Sequence, residues 1–283
     1  MIKYYEQNGK KMHLSKHTNV TLFGHEFSKN LKSLLIWTVS VAAVMVLVIL
    51  AYPMFADIYP QLIASMAPEM QEIFTAIGGE FTNVLEYYAV EGGQVFVLAG
   101  AIYAVILAIK FVRDEITNGT YEFLYSQPVN RMKIFRSKAL VLTLNLFLFN
   151  LVITLASYLT IYFIEGNVNI VNFLLYSAFS YLLQLQIGFI AFSLSAILKR
   201  KMSIGLGISV AVLGYFIGVF YLLSSIVPKL AFLQYLTPFQ YILNGLIVDG
   251  ISAVNMVTLA VWSGISLVIF AISHIQFKRT DLI

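Results

Sequence analysis

The residues able to make or break bonds are few in this chain, and none falls into a catalytic spacing. There is no cysteine, which excludes disulfides, thioether-linked haem and thiolate metal sites. The histidines His13, His17, His25 and His274 lack ligand spacing, so no metal site is expected. No GxxxxGK[ST] run supplies the backbone amides and lysine that cradle nucleotide phosphates, so any dependence on ATP has to come from another chain. The HExxH and GxSxG patterns of metal-dependent and serine hydrolases are absent as well. The chain by itself is therefore expected not to be an enzyme.

The polar residues that remain inside apolar runs are amides: Asn145 and Asn150 in one run, Gln184 and Gln186 in the next. Gln184 and Gln186 lie about 200° apart on a helix and cannot both face one cavity. Such amides either tie helices together by hydrogen bonds or touch a transported substrate. An ion-driven carrier needs ionisable groups at membrane depth. The apolar runs hold none.

Those runs dominate the composition. Of 283 residues, 59% are hydrophobic and 11% charged, against about 25% charged in an ordinary globular domain. Six spans emerge, at about Leu34–Phe55, Gln94–Ile109, Ala139–Ile164, Phe173–Leu198, Ile204–Val227 and Val254–Ile275. The second is short, so its helix should continue past Lys110 and Arg113. The basic start from Met1 to Lys32 is too long and amphipathic for a signal peptide, so the first run should persist as a helix. The expected class is an all-α integral membrane protein.

Its orientation follows from Lys and Arg, whose excess marks cytoplasmic loops. Of 18 basic residues, all but Lys229 fall in segments that an even number of spans places on one side. Residues 1–33, the 110–138 loop, the turn Lys199, Arg200 and Lys201, and the tail 276–283 are expected inside, with both termini. The net charge of +4 is thus assigned to orientation, and no nucleic-acid binding is inferred. The outer loop 56–93 carries acidic residues and no basic one, and should form short amphipathic helices broken by Pro60, Pro68 and Gly78-Gly79. The outer segment 228–250, interrupted by Pro238, Asn244 and Gly245, suits a re-entrant pair of short helices. Gly207, Gly214 and Gly218 allow close helix approach in the fifth span, within the subunit or at a dimer seam.

Two segments address the inner surface. Val20, Phe23, Phe27, Leu31 and Leu34 recur at helical spacing, while Glu26, Lys29, Asn30 and Lys32 face elsewhere, which predicts an interfacial helix with lysines near lipid phosphates. The loop reads KFVRDEITNGTYEFLYSQPVNRMKIFRSK. Asn118-Gly119 breaks the helix leaving the membrane, Thr120 can cap a short helix with Glu122 in its first turn, and Pro128 ends it. Tyr121, Phe123, Leu124 and Tyr125 make this loop too apolar for free solvation and point to a protein partner or to burial against its own helices.

The loop resembles that of ABC-2 type permeases, in which a Glu is followed by Gly-Thr-x-Glu, then Ser-x-Pro-Val-x-Arg and a later Lys. The matching residues are Glu115, Gly119, Thr120, Glu122, Ser126, Pro128, Val129, Arg131 and Lys138, with Asn130 where the family often has Ser or Thr. The order of features is similar over nearly the whole chain. The resemblance implies a permease subunit of an ABC exporter in the plasma membrane, paired with a second copy or a related permease, and the Cys-free, Lys-rich and Ile-rich usage is compatible with a bacterium. It implies separate ATPase subunits that carry the ATP and Mg, and a coupling helix in the loop formed by Glu115, Gly119, Thr120, Tyr121, Glu122, Phe123, Pro128 and Arg131. The apolar spans slightly favour a hydrophobic or amphipathic cargo such as a drug, peptide or lipid-like molecule. The alternative class is an ATP-independent channel, or a scaffold that recruits a cytoplasmic partner through the same loop.

Overall fold

Apolar chain in a bilayer has no water to satisfy its backbone, so it closes its hydrogen bonds within helices. The computed structural model describes residues 6–7, 10–11, 17–76, 81–117, 131–166, 169–198, 202–242 and 245–279. Among these, two antiparallel two-residue strands near the amino terminus are the only sheet, and the rest is helical or turn. The chain is an all-α membrane protein with six helices long and apolar enough to span a bilayer.

Helix α1 (His17–Leu50) is 34 residues and about 50 Å long, against a hydrocarbon core of about 30 Å. The expected interfacial helix is therefore no separate element: it runs unbroken into the first span. Two residues expected on its polar side, Glu26 and Asn30, lie inward instead. Glu26, Asn30, Leu34, Thr38, Val41, Met45 and Ile49 are buried at steps of three and four, whereas Leu31 is exposed. Glu26 and Asn30 thus belong to the inner face, because the stripe that packs the span continues straight down the helix. Asn30 satisfies its amide locally by donating to the Glu26 carbonyl at 2.8 Å.

The first span ends at Leu50 rather than Phe55, and α2 (Tyr52–Ala64) restarts with Pro53 in its first turn. Pro60 lies inside α2 and does not break it, a correction to the sequence reading. Proline costs an interior helix one donor. Pro68, by contrast, opens α3 (Pro68–Ala76). A short α4 (Val84–Tyr87), capped by Asn83, passes through a π-helical turn (Tyr88–Gly92) into α5 (Gly93–Thr117), which runs beyond Lys110 and Arg113 as expected. Then come α6 (Arg131–Glu165), α7 (Ile170–Leu198), α8 (Ile204–Leu222), and α10 (Met256–Arg279) at the end. Between α8 and α10 the backbone is broken into 3-10 turns at Leu223–Ser225, Pro228–Tyr235, Pro238–Tyr241 and Gly250–Ala253, with a single-turn α9 (Gly245–Val248) among them. Residues 238–242 are buried.

Helices α5 and α7 form the centre. Helix α1 packs along α6, while α6, α8 and α1 contact α5, and α10 lies on α7. The span ending in α5 is 61% buried and those of α8 and α10 only 17%, so the last two present most of their surface outward. Gly207 of α8 allows the closest approach to α5, since a Cβ there would sit 2.6 Å from Ile109 and 2.7 Å from Val105. Gly214 and Gly218 face Phe239 of the broken segment. All three glycines therefore serve packing inside the subunit.

Candidate functional site: the base of the basic loop, the buried amides and the cavity

The two legs of the basic loop are α5 and α6. Gly119, Thr120, Tyr121, Glu122, Phe123 and Pro128 lie outside the described residues, as do the side chains of Glu115 and Arg131, whose backbones fall in α5 and α6. What is described is the base of the loop. Ile134, Phe135, Ser137 and Lys138 on α6 are buried, and Lys133, Arg136 and Leu140 on the opposite side are exposed. The Lys138 ammonium donates to the carbonyl of Phe111 on α5. The Phe135 ring meets Phe192 of α7 at 5.0 Å and three rings of α10: Phe277 at 5.2 Å, Phe270 at 5.4 Å and His274 at 5.6 Å. One face of one helix start thus touches three other helices.

On α1, Phe23 and Phe27 stack with ring centroids 6.3 Å apart and are half-buried against the core, while Lys29, Leu31 and Lys32 are exposed. These residues therefore line two sides of the helix.

The amides occupy two separate interfaces. Asn150 donates to the Leu146 carbonyl of its own helix and, at 2.7 Å, to Gln184 Oε1 on α7. Asn145 donates to the Val141 carbonyl. Gln186 donates to Ser263 Oγ on α10 at 2.9 Å and accepts from the Tyr241 hydroxyl at 2.8 Å. The first pair ties α6 to α7. The second set ties α7 to α10 and to the broken segment. Asn145, Gln184 and Tyr103 each keep one buried polar atom without a partner, which is costly in an apolar core.

A small, partly open cavity lies among Gln94 and Val97 of α5, Tyr215, Gly218, Val219 and Leu222 of α8, and Phe239 and Ile242 of the broken segment. Its wall is apolar and aromatic with one amide and one hydroxyl. Nearby, an aromatic cluster joins α2 and α3 to the start of α5: Tyr59 lies 5.8 Å from Phe74 and 4.6 Å from Phe81, and its hydroxyl donates to Glu91 at 2.9 Å. Partial burial and that hydrogen bond to a carboxylate push the Tyr59 hydroxyl up to about 12. Burial, then the Glu165 and Glu86 carboxylates, raises Tyr52 as well. Among the described residues no group of three His, Cys, Asp or Glu side chains could hold a metal ion.

Sequence reading missed the Lys138 clasp, the Phe135 hub and the Tyr59–Glu91 bond. Lys138 had been read only as a motif match and an orientation charge. The signal was available, since Ile134, Phe135 and Lys138 share one helix face while Lys133 and Arg136 take the other.

Six helices long and apolar enough to span a bilayer define a polytopic membrane protein. The family model described as ABC-2 family transporter protein matches residues 20–282, and the chain belongs to that family. No curated protein matches the chain.

Proposed function

We propose that this chain is the permease subunit of an ATP-driven exporter for a hydrophobic or amphipathic cargo, coupled through its 110–138 loop to a separate ATPase chain that carries the ATP and Mg. The observation that carries the reading is the family match across residues 20–282. The base of the loop supports it, because Lys138 and Phe135 link that base to α5, α7 and α10. The apolar spans slightly favour a hydrophobic or amphipathic cargo over a bare ion. The subunit performs no bond chemistry. It works with a second copy or a related permease, in a bacterial plasma membrane, with both termini in the cytoplasm.

The test is purification of the tagged chain from native membrane, followed by reconstitution with whatever ATPase accompanies it. Mg-ATP-dependent movement of a fluorescent amphipathic dye across the vesicle wall is the expected result. An ATPase that never accompanies the chain, together with dye flux indifferent to ATP, would leave the channel or scaffold reading in its place.

A further inference from the structure

Four cations mark the start of α6, Arg131, Lys133, Arg136 and Lys138, and the three whose side chains are described are not alike. Lys133 and Arg136 are exposed, which is all that membrane orientation asks of a cation. Lys138 is 4% exposed. Burying an ammonium is expensive unless hydrogen bonds replace its water, so a buried lysine next to two solvated ones has another reason to be there.

We propose that Lys138 is a positioning residue that clasps the base of the 110–138 loop, so that a displacement of the loop reaches α5, α6, α7 and α10 as one movement. The inference rests on the coupling reading above. Its acceptor is the carbonyl of Phe111, near the carboxyl-terminal end of α5 and on the other leg of the loop. Phe111 is buried too, so water does not compete freely for the bond. One turn earlier Phe135, 1% exposed, seats its ring among Phe192, Phe270, His274 and Phe277. The clasp fixes α6 to α5, and the aromatic hub fixes it to α7 and α10. Packed elements joined in this way move as a body rather than deforming. Without the clasp the legs splay, and a push on the loop is absorbed locally.

The absence of cysteine allows spin labels to be placed at will. One pair, at Lys110 and Arg136, reports on the two legs. A second pair, at Lys110 of this chain and at the corresponding position of the permease it pairs with, reports on the whole assembly. Both are measured by electron–electron distance spectroscopy in the complex with its ATPase, without nucleotide and with Mg-ATP-vanadate. The expected result is a leg-to-leg distance that changes by less than about 2 Å, the scale of a helix shift, while the permease-to-permease distance changes more. Lys138→Met should broaden and shift the leg-to-leg distribution, raising the splayed population about tenfold or more, as loss of a charged hydrogen bond requires. Lys138→Arg, which keeps a donor, should restore the narrow distribution. Legs that separate in the unsubstituted chain, or a Lys138→Met distribution identical to it, would overturn the clasp, and the first result needs no variant to fold. A permease-to-permease distance indifferent to nucleotide would sink the coupling reading itself, and the clasp with it.

Discussion

Gly100 of α5 is where the fold can be broken by one methyl group. A Cβ at that position would lie 2.1 Å from Gln184 Nε2, 2.3 Å from its Cδ and 2.8 Å from its Oε1. A Cβ contact under 3.0 Å forces something to shift, so the Gln184 amide must retreat by at least 3.0 − 2.1 = 0.9 Å. Gln184 is fully buried and accepts the 2.7 Å bond from Asn150, which a movement of that size removes. Hydrogen bonds between membrane helices are worth about 0.6 kcal/mol on average and up to about 1.7. Overpacking a full core adds about 1–3 kcal/mol. The better helix propensity of alanine returns up to about 1 kcal/mol. Gly100→Ala should therefore destabilise the chain by about 0.6–3.7 kcal/mol. The assay is denaturant unfolding in mixed micelles, with Gly205→Ala and Gly264→Ala as controls because nothing lies within 4 Å of either site. Gln184→Ala removes the obstacle, so the double variant should be more stable than the sum of the single effects by about 1 kcal/mol or more. Strict additivity, or a Gly100→Ala chain as stable as the controls, would refute the placement of this amide against α5.

Cysteines placed at Asp57 and Lys133, both exposed, should separate under an impermeant thiol reagent on intact cells, with only position 57 labelled; the reverse pattern would invert the topology. Tyr241→Phe removes the donor to Gln186 and should lower stability by about 0.6–1.7 kcal/mol in the same unfolding assay. Because the Tyr59 hydroxyl sits at about 12 when folded against an ordinary 10, its contribution is complete below pH 10 and is lost as pH rises toward 12. Unfolding midpoints of the unsubstituted chain should therefore fall more steeply across that interval than those of Tyr59→Phe.

The six spans and the break between the last two were legible because apolar length and proline placement are local signals. The rest depends on which face of a helix meets which neighbour. On α1, Glu26 and Asn30 look solvated to a hydropathy argument. Packing along α6 decides otherwise. Pro60 misled in the opposite direction, as a residue that usually ends a helix was accommodated inside one. The amides at 184 and 186 could be assigned to different directions from angle alone, but their partners Asn150, Ser263 and Tyr241 lie 34 to 77 residues away and leave no local trace. For the loop motif, only Lys138 has a described side chain, and its acceptor is a backbone carbonyl that no side-chain pattern encodes.

Helix α5 connects these features along one rod. Gln94 at one end lines the cavity, Gly100 rests against Gln184, and Phe111 at the other end accepts from Lys138. From Gly100 the cavity residue is about 9 Å away and the clasp about 16 Å, at 1.5 Å per residue. Gly100→Ala and Lys138→Met should therefore differ in kind. The first crowds the Gln184 amide between α5 and α7 and lowers stability, whereas the second leaves that contact intact and frees the two legs of the loop from each other.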